Sequence, residues 1–253
     1  MRAYELIKET FFRGSYIWIV HLAWLGIYGV YWWLFLPESS EYGRFVFIWG
    51  GFLLPLALSA GIFGDDIASG RICVLVTRPF WWGELYLYRL LGLSLQGAVN
   101  LLLAGGIATV LYAIMRKGSV DGLAPYLIAS WLLFNTWAAL STSLSIVVRR
   151  TYNSLVLLVV FACGYFIVTM LMSFLGQQAG KGTFMAFVRY FWPPFELLFK
   201  FAHGEYDKFS LTIGKFSVPK SVACVVHSLM LTTAYSAAGI VLLTRRQFSR
   251  TQD

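Results

Sequence analysis

The chain has 253 residues, of which 58% are hydrophobic, 18% aromatic and only 13% charged. A soluble domain carries about 25% charged residues, so this mixture would leave large apolar patches in water, and lipid is the solvent that accommodates it. The net charge of +8 points away from nucleic acid, because the basic residues are scattered at the edges of apolar runs, where they flank membrane spans.

Residues 2–13 place Tyr4, Ile7 and Phe11 at helical spacing, with Glu5, Lys8, Glu9 and Arg13 largely on the rest of the turn. This pattern predicts an amphipathic helix lying along the cytoplasmic interface rather than a frayed charged tail. A hydrocarbon core of about 30 Å requires roughly 20 apolar residues in a helix. Six stretches meet that demand: 16–36, 45–63, 90–115, 124–148, 154–176 and 222–244. The first follows Arg2, Lys8 and Arg13 and ends at Pro37-Glu38 without a small-x-small cleavage site, so it reads as a retained anchor.

Between the second and third spans, "GDDIASGRICVLVTRPFWWGEL" (64–85) concentrates Asp65, Asp66, Arg71, Arg78 and Glu84 around the short apolar core of residues 72–76. That core is too short to cross a bilayer. A short helix with the stripe Ile67, Ile72, Val74 and Leu75 can instead seat in a groove of a soluble partner, its charges fixing register at the rim.

Inside the spans as drawn there is no Asp or Glu. The polar residues there are Gln96, Asn100, Asn135 and the cluster Ser141, Thr142, Ser143 and Ser145. Hydrogen bonds between helices account for such residues; a polar lining for a substrate path, on Gln96, Asn100, Asn135, Ser141 and Ser145, is the other reading.

Residues 177–221 hold "GTFMAFVRYFWPPFELLFKFAHGEY", dense in aromatics and broken at Pro193-Pro194. Neither half is long enough to span, which predicts short re-entrant or capping helices on the outer side. An aromatic belt at the headgroups is the alternative.

Orientation follows Lys and Arg in the short connections. The N-terminal segment, the 64–89 connection, the 149–153 turn and the tail carry eleven, whereas the two short opposite connections carry only Arg44, Arg116 and Lys117. The long 177–221 segment adds six on that opposite side but reports orientation less directly. Both termini are therefore expected in the cytoplasm.

Several chemistries lack their residues. Cys73, Cys163 and Cys224 are odd in number and far apart, which argues against a disulfide framework. His21, His203 and His227 form no cluster with one another or with cysteine, so no metal site and no catalytic set is expected. "GQQAGKGT" (176–183) imitates a P-loop, but only three residues separate Gly176 from Gly180, and Lys181 precedes glycine. The chain is thus expected neither to be an enzyme nor to bind a nucleotide itself.

Residues 65–89 resemble the connection between the second and third spans of permease subunits in type-2 ATP-binding-cassette (ABC) exporters. The resemblance rests on Asp65-Asp66, Ser69-Gly70, Val74-Leu75-Val76, Thr77-Arg78-Pro79 and Arg89. Residues 138–168, a hydroxyl-rich span end followed by a two-Arg turn and an apolar run, are also similar. Arg71-Ile72 departs from the family's usual Thr-Leu, and Phe80 to Gly83 from its usual small and hydroxyl residues. The resemblance implies an all-α polytopic fold with six transmembrane helices, an N-terminal interface helix (Tyr4, Ile7, Phe11, Arg13) and a cytoplasmic coupling helix. That coupling segment, 64–83, would use Asp65, Asp66, Ile67, Ser69, Gly70, Arg71, Leu75, Thr77, Arg78 and Pro79. It further implies a bacterial cytoplasmic-membrane exporter whose partners are two cytoplasmic ABC ATPase subunits and a second permease, identical in a homodimer, with ATP and Mg2+ bound by the ATPases and lipids around the spans. An ATP-independent channel or secondary carrier, and a membrane scaffold subunit, are the competing readings.

Overall fold

The computed structural model describes residues 2–12, 14–72, 81–115, 120, 122–148, 152–153, 155–159, 195–204, 211–213, 216–218 and 220–245. The elements are α1 (Arg2–Phe11), α2 (Gly14–Phe35), α3 (Ser39–Val46), a π-helical stretch (Phe47–Leu53), α4 (Leu54–Ser59), α5 (Ile62–Ala68), α6 (Trp82–Met115), α7 (Leu123–Leu144), α8 (Phe195–Ala202) and α9 (Lys220–Arg245). One short antiparallel hairpin joins this helical set, β1 (Leu211–Ile213) paired with β2 (Phe216–Val218), with Thr212 opposite Ser217. The rest of the described elements are helical, consistent with the expected all-α polytopic membrane chain.

Among the described residues, five helical segments are long and apolar enough to cross a membrane: Ile17–Phe35, Ser39–Ala68, Trp82–Met115, Leu123–Leu144 and Val222–Arg245. The molecule is a membrane-embedded helical protein. Of the remaining expected span, 154–176, only residues 155–159 are described, and they are helical, with Leu157 buried; the rest lies outside the described residues. The expected boundaries were too narrow for two spans. The second runs from Ser39 to Ala68 and the third starts at Trp82. An apolar window stops at Asp65 or Arg89, whereas a helix continues past the lipid for as long as its backbone bonds and packing are satisfied.

The helices alternate between two ends. At the near end, α1 meets the start of α2 (Ile17, Val20), α5 (Ile62, Phe63), the start of α6 (Leu85, Tyr86, Leu90), the end of α7 (Ala138, Ala139) and Leu243 of α9 in one apolar cluster. At the far end, Tyr28 and Trp32 of α2 pack with Tyr42 and Val46 of α3, Ala104, Ala108 and Tyr112 of α6, and Leu123. Between them, Phe47, Phe52, Ala129, Leu133, Trp137, Leu157 and Leu198 form a third cluster around α7. Helix α7 is the hub of the bundle, touching α3, the π-helical stretch, α4, α6, α8 and α9.

The second crossing is interrupted twice, for identifiable reasons. Pro55 lies in the first turn of α4, where its ring and missing N–H cannot continue the α-helical ladder of the preceding turn. The π-helical stretch before it widens the helix and absorbs the mismatch. A second break falls at residues 60–61. There Asn153 Nδ2 donates to the Ala60 carbonyl (3.0 Å) and to the Ser141 carbonyl (3.0 Å), and the Phe63 amide donates to Ser145 Oγ (3.4 Å). The end of α7 and the residues after it thus cap the broken helix, satisfying backbone groups that lipid could not.

Candidate functional site

The concentration of charge expected at 64–85 is drawn into the bundle at the near end. Helix α5 ends at Gly70, whose φ of 67° is the left-handed conformation that a side-chain-bearing residue resists. Its amide donates to the Ile67 carbonyl (3.1 Å), and the Ser69 hydroxyl donates to the Asp65 carbonyl (2.6 Å). This sharp stop turns the chain so that Ile72 enters the near-end apolar cluster while Arg71 points outward.

Arg89, about two turns into α6 and fully buried, is the centre of an ionic network. Its Nη2 lies 3.2 Å from Asp66 Oδ2 of α5 and 3.2 Å from Glu9 Oε1 of α1, and its Nη1 donates to Thr10 Oγ1 (3.0 Å). Arg71 Nη2 completes the set at 2.6 Å from the same Glu9 oxygen. Burial grades outward along this chain of charges: Arg89 0%, Asp66 1%, Glu9 30% and Arg71 49% side-chain exposure. Seven residues along α6, Gln96 Nε2 donates to the Thr10 and Phe11 carbonyls (2.9 and 2.8 Å), capping α1 at its C-terminal end. Gly92 lies between these two contacts. A Cβ there would fall 2.6 Å from Thr10 Cβ, so α1 and α6 approach this closely only over glycine.

A second web ties the near ends of α6, α7 and α9. Tyr86 Oη donates to the Ala139 carbonyl (2.9 Å) and sits 2.8 Å from Ser143 Oγ, which donates to the Tyr235 carbonyl (2.8 Å). Deeper in, Thr136 Oγ1 lies 3.0 Å from Ser228 Oγ and 3.1 Å from Thr232 Oγ1, joining α7 to α9.

Several sequence expectations are corrected by this geometry. Asp66 is not a rim charge for a partner, because its carboxylate is buried against Arg89. Ile67 and Ile72 face the bundle, not a partner groove. What 62–72 leaves outside is Ala68, Ser69, Gly70 and Arg71, with Asp65 half-buried and Trp81 exposed beyond. Leu75, Thr77, Arg78, Pro79 and Arg13 lie outside the described residues. On α1 the side facing the bundle is Leu6–Glu9–Thr10, which leaves Tyr4 exposed and Ile7 and Phe11 half-buried on the remaining turn.

The candidate path residues do not line one surface. Gln96 caps α1, Asn100 Nδ2 lies 3.1 Å from His21 Nδ1, and Asn135 donates to the Trp131 carbonyl of its own helix (2.8 Å). Ser141 and Ser145 serve the break at 60–61. All but Asn135, which bonds within α7, join one helix to another. Sequence reading missed Arg89 as the hub and Glu9 and Thr10 as its partners. The one available signal was that Arg89 opens an apolar run yet stands eight residues inside the helix that begins at Trp82.

Among the described residues, no three His, Cys, Asp or Glu gather to hold a metal ion. Compared with known proteins, the chain matches no family model, and no curated protein is significantly similar to it.

Proposed function

We propose that this chain is the permease subunit of an ABC exporter, pairing with a second copy of itself and with two cytoplasmic ATPase subunits in a bacterial cytoplasmic membrane. The observation that carries this reading is the Glu9–Arg71–Arg89–Asp66 network. It joins the interface helix, the exposed 68–71 turn and the shaft of α6 into one unit, so a push on the turn reaches a membrane-crossing helix without passing through a flexible loop. Breaking such a buried charge set by removing one member costs about 3–5 kcal/mol, enough for the three elements to move together rather than separately.

Both termini face the cytoplasm in this reading, with the near end inward. A sixth crossing is supported by the chain's path: α7 ends at the near end, where Asn153 binds Ala60, while α8 lies at the far end, where His203 meets Tyr126. Helix α8 caps the bundle on the outer side. Nucleotide and Mg2+ belong to the ATPases, whose closure would tilt α1, α5 and α6 together and alternate access between the two sides.

The test is purification of the full chain from its native membrane, followed by ATP hydrolysis measured on what remains attached. The reading expects an attached ATPase whose retention falls with Arg71→Glu, an exposed change that leaves the Asp66–Arg89 pair intact. Asp66→Lys does not test docking, since it destroys a buried pair. An attached ATPase held equally well by Arg71→Glu would refute docking on this turn. Substrate transport by the chain alone in proteoliposomes would replace the exporter with a carrier.

A further inference from the structure

At the far end, Arg44 meets no acid among the described residues. Arg44 lies in the last turn of α3, three residues after the exposed Glu41 on the same helix. An arginine at that spacing ordinarily reaches its acid. Here the described ion pairs all belong to Glu9, Asp66, Arg71 and Arg89, and none involves Arg44. The side chain turns instead toward α8. Its guanidinium carbon lies 5.9 Å from the centre of the Phe199 ring, and its Nη2 lies 3.0 Å from His203 Nε2 and 3.2 Å from Nδ1. The Nε is buried and has no hydrogen-bond partner.

Arginine only donates, so a His203 ring nitrogen accepts from Nη2. Tyr126 Oη lies 2.8 Å from His203 Nδ1, as donor or acceptor according to the ring's tautomer. Among the described residues the result is a guanidinium with no acidic partner, a hydroxyl next to it and an aromatic floor, fixed by α3, α7 and the turn after α8. A basic residue merely reaching for the headgroups would extend outward; this one is folded back over Phe199 and held by a histidine.

We infer that Arg44, with Tyr126 and His203, forms a binding site for a phosphate group at the far end of the bundle. Guanidinium is suited to that task, because its planar donors match phosphate oxygens two at a time. The phosphate can come from a phospholipid headgroup, since basic pockets between transmembrane helices hold such groups, or from a free phosphate. The site does not depend on the transporter reading, which concerns the opposite end.

Titration of the detergent-purified full chain tests it, with bound lipid counted by native mass spectrometry. The probes are phosphatidylglycerol, an uncharged galactolipid of equal chain length, and inorganic phosphate followed by its effect on thermal unfolding. Phosphatidylglycerol is expected to bind the natural chain about tenfold or more tightly than it binds Arg44→Gln, the worth of one charge-assisted hydrogen bond. The galactolipid should bind both chains alike. Stabilisation by inorganic phosphate, lost in Arg44→Gln, identifies a free phosphate as ligand; its absence with lipid binding intact identifies the headgroup. If Arg44→Gln does not fold, His203→Ala at an exposed position is read instead, with a several-fold weakening expected. Equal binding of both phosphate probes by natural and altered chains overturns the site.

Discussion

The two ends of the bundle treat arginine in opposite ways. At the near end, Arg71 and Arg89 share Glu9, and Arg89 also holds Asp66 out of contact with solvent. At the far end, Arg44 stands three residues from an exposed acid and meets a histidine ring instead. A closed charge set stiffens the elements that share it, because separating them exposes a buried ion to a low dielectric. An open cation contributes little to stability and keeps its donors for something that is not part of the chain. The near end is therefore suited to transmitting force and the far end to recognition.

The contrast is broken most severely by Arg89→Ala, which strands Asp66 in the bundle. Unfolding in graded denaturant should show a loss of about 3–5 kcal/mol, and the apolar double replacement Asp66→Leu with Arg89→Met should recover most of it. A loss below about 1 kcal/mol would mean the network does not hold the near end together. Asn153→Ala comes next. It leaves the Ala60 and Ser141 carbonyls without their donor, at an expected cost of about 1–3 kcal/mol in the same measurement. Arg71→Gln removes a half-exposed pair and should change stability by less than about 1 kcal/mol while weakening retention of the ATPase. Arg44→Gln is expected to be the mildest, within about 0.5 kcal/mol, since no partner charge is left behind. A larger loss there would show that the far-end cation is structural after all.

How much of this was legible beforehand depends on the kind of signal. The crossings were visible because lipid demands long apolar runs, and the five described spans all fall where such runs occur. Their ends were not visible, because Glu84 and Arg89 interrupt hydropathy without interrupting the helix. Pro55 cannot continue a regular helix, but whether it produces a kink or a π-helical stretch depends on how α7 packs beside it. The near-end network could not be read from spacing at all. Asp66 and Arg89 are 23 positions apart and Glu9 and Arg89 are 80 apart, and each alone resembles an ordinary flank charge at a span end. His203 looked isolated for the same reason, since Arg44 lies 159 residues away. Serines 141 and 145 looked equally fit for a path or for packing until Asn153 and the break at 60–61 claimed them.

The central claim is that the near-end network carries motion from a docked ATPase into α1 and α6. Spin labels on the exposed Tyr4 of α1 and the exposed Leu102 of α6, in the complex reconstituted with its ATPase, measure that motion as a distance with and without ATP. The natural network should give a nucleotide-dependent change in distance, and Asp66→Leu with Arg89→Met should abolish it while the ATPase stays attached and the chain stays folded. The same nucleotide-dependent change in both chains would contradict the account.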